Sequence, residues 1–120
     1  ILKNADEFLD IINKNPQVKL VLSGHHHNNS VQKMNSTLFI SVPSVVTYPN
    51  YFKVFTIYPD RVEIKNNGIS YSQLVKKAKK TLINTEYARN YNSKKPKDVI
   101  KFQEGDNSSK KSIYYVSSGK

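Results

Sequence analysis

One cluster in this 120-residue sequence has the residue types that metal chemistry needs: Gly24-His25-His26-His27, which holds all three histidines of the chain. In an extended segment, residues two apart fall on one side of the backbone. His25 and His27 are therefore the candidate ligand pair, with His26 turned away. Neutral imidazoles suit Zn, Mn, Fe or Ni, and this pair can serve one ion or two adjacent ions. The sequence contains no cysteine, so a thiolate site and a disulfide framework are both excluded and any metal takes nitrogen and oxygen ligands. A glycine ahead of the histidines lets the backbone turn sharply or approach a bound ion. The position of the cluster, inside the chain and after an apolar run, argues against a purification tag. A chance surface run of histidines is the alternative that spacing alone leaves.

The elements that must position this cluster follow from periodicity and turn chemistry. Asn4 to Asn13 carries Phe8, Leu9, Ile11 and Ile12 at helical spacing, with Asn4 and Glu7 as a capping box. Asn15-Pro16 ends that helix, and Val18 to Leu22 reads as a strand buried in the middle of a sheet, with the histidines at its C-terminal end. Loops at such strand ends converge side chains from several strands, which is where ligand sites collect. Val31 to Met34 and Thr37 to Val42 form a hairpin about Asn35-Ser36. A second antiparallel pair is expected from Tyr51 to Tyr58 and Arg61 to Ile64 around Pro59-Asp60. Beyond Gly68, Leu74, Val75, Ala78 and Leu82 line one face of a peripheral helix opposite Lys76, Lys77, Lys79 and Lys80, with Ser70 and Gln73 as a cap pair. Residues 83 to 97 lack apolar periodicity. Pro96 opens a short helix burying Val99 and Phe102, and the tail from Glu104 to Lys120 is loosely ordered apart from a strand at Ile113 to Val116.

Val21-Leu22-Ser23-Gly24-His25-His26-His27 resembles the last Gly-His-x-His motif of the calcineurin-like metallophosphoesterases. Ile40-Ser41-Val42-Pro43-Ser44, Thr47-Tyr48-Pro49 and Phe52-Lys53-Val54 are similar to the segments that follow it in the cyclic-nucleotide phosphodiesterase-like branch. The helix from Leu74 to Leu82 and Phe102-Gln103-Glu104-Gly105 look like a C-terminal extension of some members. The resemblance implies an α/β fold, the C-terminal part of a four-layer α/β/β/α sandwich with mixed and antiparallel strands, incomplete here. Residues 1–66 would belong to the metallophosphoesterase domain and 67–120 to a basic helical extension with a partly disordered tail. It also implies hydrolysis of a phosphomonoester or phosphodiester, a cyclic nucleotide among the candidates. His25 and His27 would each ligate one of two ions, Mn, Fe or Zn, lying about 3.5–4 Å apart, and a bridging hydroxide would attack phosphorus.

The same family's Asp-x-His, Gly-Asp-x-x-Asp and Gly-Asn-His motifs, and its further lone histidine, have no counterpart in the sequence. With Ile1 in place of an initiator Met, the chain is expected to be a piece of a longer protein. It then supplies metal ligands but no catalytic residue of its own, is inert alone, and binds metal weakly. The expected partners are a phosphoester substrate, the missing half of the same domain, and a second copy pairing through an exposed sheet edge. The loop from Val45 to Asn50, including Tyr48, is expected to line the pocket without revealing what it holds.

Charge sets the competing reading. Of the net charge of +10, residues 61–120 carry +9, with fourteen Lys and Arg against five Asp and Glu. Lys76, Lys77, Lys79, Lys80, Lys94, Lys95 and Lys97 would then form an anion- or nucleic-acid-binding module. Only Tyr87 and Tyr91 lie near enough to stack on bases, and no nucleic-acid motif is present, which argues against nucleic acid. A degenerate domain that kept the fold and lost the chemistry is the third reading. Apolar runs such as Leu20-Val21-Leu22 fall far short of the roughly 20 residues of a membrane span, and cytoplasmic is the default location.

Overall fold

The computed structural model describes residues 2–116. The chain is mixed α/β, with two three-stranded sheets and five α-helices among the described residues. The first helix, α1 (Ala5–Asn13), is amphipathic and carries Asp6 and Glu7 at its positive N-terminal end. The Asn4 side chain makes no cap hydrogen bond, so the helix starts on backbone bonding alone, with Phe8 N donating to the Asn4 carbonyl at 3.0 Å.

Strand β1 (Leu20–Ser23) pairs parallel with β3 (Thr37–Ser41), which pairs antiparallel with β2 (Ser30–Met34). The β2–β3 hairpin closes at Met34 and Thr37, and Asn35 takes the left-handed conformation its turn requires, φ 54°. Its side chain donates to Asn13 Oδ1 at 2.8 Å, tying the hairpin to the end of α1. The order β1-β3-β2 puts β1 on an edge, not in the middle of a sheet as its apolar sequence predicts. Among the described residues nothing pairs its outer side, and Leu22 remains 54% exposed.

The second sheet is antiparallel, β4 (Tyr51–Ile57), β5 (Arg61–Gly68) and β6 (Lys111–Tyr115), with β5 central. Alternation places Leu38 and Ile40 of β3 and Val62 and Ile64 of β5 in one buried cluster that joins the two sheets. Leu20, Val31, Val42, Phe55, Tyr114 and Val116 pack around it. Both predicted hairpins and the late strand are therefore present. The stretch before that strand is ordered too: Asp106 caps a one-turn helix, α5 (Asn107–Lys110), by accepting from Ser109 N at 2.9 Å. The rest of the predicted loose tail, residues 117–120, lies outside the described residues.

The remaining helices are α2 (Ser72–Ile83), α3 (Glu86–Tyr91) and α4 (Val99–Glu104), the last entered through a 3-10 turn at Pro96–Asp98. Helix α2 forms where predicted but without the Ser70 and Gln73 cap pair; its N-cap is Tyr71, with no side-chain bond. Helix α3 falls in a stretch where apolar periodicity gives no signal. Cap chemistry builds it: Thr85 Oγ1 accepts from Ala88 N at 3.2 Å, and Ala88 is fully buried. In α4, Val99 is buried as predicted, but Phe102 is 37% exposed and packs beside Tyr91 while Gln103 is buried in its place.

Candidate functional site

Parallel pairing of β1 with β3 brings the two strands to a common end at Ser23 and Ser41. Val42 N donates to the Ser23 carbonyl at 2.8 Å, so the loops that follow leave the sheet side by side. The loop after β1 carries the histidines, and the loop after β3 carries Thr47 and Tyr48. They meet where Thr47 Oγ1 lies 3.1 Å from His27 Nδ1. Ser41 Oγ donates to Asn28 Oδ1 at 2.7 Å, which fixes the far end of the histidine loop on β3.

The histidine segment is bent, not extended. His25 has φ 82° and His27 φ 56°, the left-handed region that side-chain-bearing residues rarely occupy. Gly24, expected to supply the sharp turn, has no positive φ, and a side chain there would meet nothing within 4 Å. The strain of the turn is thus held by the two candidate ligands themselves, a placement typical of functional loops. Its consequence is that His25, His26 and His27 all line one cavity of about 340 Å³, together with Thr47, Tyr48, Leu82, Thr85, Tyr87 and Gln103. His26 is not turned away; its ring stands edge-on to that of His25 with centroids 5.3 Å apart.

Three residues from the end of α4 brace this loop. Gln103 Nε2 donates to the His26 carbonyl at 3.3 Å and to the Tyr87 hydroxyl at 3.1 Å. Asn29 Nδ2 donates to the Glu104 carbonyl at 2.7 Å, and Tyr48 donates its hydroxyl to the Glu104 carboxylate. Gly105 follows with φ 73° and lies so close to Asn29 that a Cβ there would stand 2.2 Å from the Asn29 carbonyl oxygen. Burial, then the Glu104 hydrogen bond and charge, push the Tyr48 phenol well above its ordinary pKa. Tyr48 therefore stays protonated at neutral pH and serves as a donor. The bonds from Gln103 and Glu104 to His26, Asn29 and Tyr48 are not visible in local sequence, because they span 56 to 77 positions.

The donor set fits part of a metal centre. His25 and His27 offer two nitrogens beside one cavity, and Thr47 can accept from His27 Nδ1–H, leaving Nε2 unprotonated for a ligand. Among the described residues no three His, Asp or Glu side chains gather closely enough to hold one ion. The basic residues Lys76, Lys77, Lys79 and Lys80 lie exposed on α2. Of the aromatics near them, Tyr87 is engaged with Gln103 and Tyr91 packs on Phe102 at 5.0 Å between centroids. No described helix is long and apolar enough to cross a membrane.

No family model matches the chain, and no solved structure does. A protein of Synechococcus sp. described as a probable cyclic nucleotide phosphodiesterase is 44% identical over 43 residues. That match covers 36% of this chain and 17% of the relative, well under two thirds of its length. The likeness is partial, and to a protein described only as a probable phosphodiesterase.

Proposed function

We propose that this chain is the C-terminal part of a calcineurin-like metallophosphoesterase domain, within a protein that hydrolyses a phosphoester. The observation that carries the reading is the convergence of His25 and His27 on one cavity at the C-terminal end of β1, with His27 Nδ1 against Thr47. The partial identity to a phosphodiesterase supports it. In this reading the two sheets sharing the Leu38, Ile40, Val62 and Ile64 core are the inner layers of the four-layer sandwich, and residues 67–120 are a basic extension.

His25 and His27 would each hold one of two ions, Mn, Fe or Zn, and the remainder of the same domain would bring the other ligands and the general acid. Two such ions polarise the phosphoryl oxygens and make water nucleophilic at neutral pH. The chain's own residues set the geometry. Thr47 holds the His27 ring through its Nδ1, Gln103 anchors the backbone between the two ligands, and Tyr48, kept protonated by burial and by its bond to Glu104, lines the cavity wall.

The test is hydrolysis of bis-p-nitrophenyl phosphate with Mn²⁺ by a polypeptide that joins this chain to its complementing half, alongside His25→Ala and His27→Ala. Activity that drops at least about 100-fold in both variants is the expected result. Full activity in either variant would exclude that residue as a ligand, and inactivity with every metal would favour a degenerate domain.

A further inference from the structure

Thr47, Tyr48, Leu82 and Thr85 line two cavities at once: the histidine pocket and a second, of about 280 Å³, between α2 and the Val46–Tyr48 segment. The two cavities are therefore adjacent. Beyond the shared residues, the walls of the second cavity are Val46, Leu74, Ala78, Thr81 and Lys77. Three of its four hydroxyls already donate within the chain. Thr81 Oγ1 donates to the Lys77 carbonyl at 3.0 Å, Thr85 Oγ1 to the Leu82 carbonyl at 2.6 Å, and the Tyr48 hydroxyl to Glu104. Thr85 Oγ1 also accepts from Ala88 N.

We infer that this second cavity is a subsite for the apolar alcohol portion, aryl or alkyl, of a phosphoester whose phosphate lies among the histidines. The inference rests on the phosphoesterase reading and adds the substrate class to it. Apolar surface that would otherwise face water is covered by such a group. A nucleobase in the same place would lose the water on its ring nitrogens and amino group while the walls supply the Lys77 ammonium and the Thr47 hydroxyl in return, fewer partners than the base brings. Lys77 on the wall, and Lys79 with its Nζ 5.4 Å from the Tyr48 ring centroid, add positive charge that draws an anionic ester towards these adjacent cavities without favouring any base.

The experiment is amide-resolved NMR titration of the 120-residue chain with 1-naphthyl phosphate, octyl phosphate, adenosine 5′-monophosphate and 1-naphthol, each with and without Zn²⁺. The expected result is that one or both apolar phosphates bind at least about tenfold tighter than adenosine 5′-monophosphate. 1-Naphthol alone should also shift the amides of Val46, Leu74 and Ala78 without metal. Ala78→Glu, which places charge in the second cavity and leaves the histidine loop untouched, should abolish the apolar preference and preserve the Zn²⁺ response of His27. Equal or tighter binding of adenosine 5′-monophosphate, or no shift of those three amides by 1-naphthol, overturns the inference. If the subsite responds to 1-naphthol while His25 and His27 ignore Zn²⁺, the phosphoesterase reading fails and the apolar subsite stands.

Discussion

His27 Nδ1 stands 3.1 Å from Thr47 Oγ1, joining two loops that leave a parallel strand pair at the same edge of a sheet. A ligating imidazole needs its second nitrogen held, so that the ring presents one lone pair in one direction. Thr47→Val keeps the shape and removes that partner. The expected outcome is roughly a 10- to 100-fold loss of Zn²⁺ affinity, recovered by Thr47→Ser, measured by calorimetric titration. Unchanged affinity in the valine variant would remove Thr47 from the site.

Gly105 sits where any side chain strikes the Asn29 carbonyl, in a left-handed conformation that only glycine takes without strain. Gly105→Ala is expected to destabilise the fold by about 2 kcal/mol or more, read by urea denaturation. The same substitution should displace the histidine loop, seen as shifts in the His26 and Asn29 amides.

Ile64 belongs to the four-residue cluster that holds the two sheets together and is almost fully buried. Ile64→Ala is expected to cost about 2–5 kcal/mol, checked by denaturant midpoint. Ile57→Ala on the exposed end of β4 is the control and should cost under about 1 kcal/mol.

Lys53 Nζ donates to Asn66 Oδ1 and to the Ser109 carbonyl with no carboxylate among those partners, and burial lowers its pKa from 10.5 to about 8. Between those two values the unfolded chain holds a proton that the folded chain has lost. Stability therefore rises with pH across that window, while below it both states are charged and the burial penalty stays constant. Because the group is only partly buried, solvent screening reduces the effect to about 1 kcal/mol. Denaturation at pH 7.5 and 9.5 should show that rise in the native chain and a flatter profile in Lys53→Met.

Much of this was legible locally, and what was not depended on distant contacts. The hairpins, α1, α2 and the late strand could be read because alternation, helical spacing and turn residues such as Asn35 and Pro59 act over a few positions. The edge placement of β1 could not, because its apolar sequence reads the same whether or not a neighbouring strand is present. Helix α3 was missed because its signal is a single cap at Thr85, not an apolar stripe. In the site, the residue types of His25 and His27 pointed to nitrogen ligands, but the bend that brings His26 to the same cavity lies in backbone angles that sequence does not display. Gln103 and Glu104 are further still, reaching the histidine loop through the fold of the whole chain.

In the proposed site His25 and His27, and not His26, would be the metal ligands, and the decisive measurement records the ring nitrogens of all three histidines by NMR while Zn²⁺ is added to this chain. Coordination shifts are expected at one nitrogen each of His25 and His27, that of His27 being Nε2, each lost in its own alanine variant, with His26 unshifted. Coordination at His26, or a Zn²⁺ response that survives both His25→Ala and His27→Ala, would contradict it.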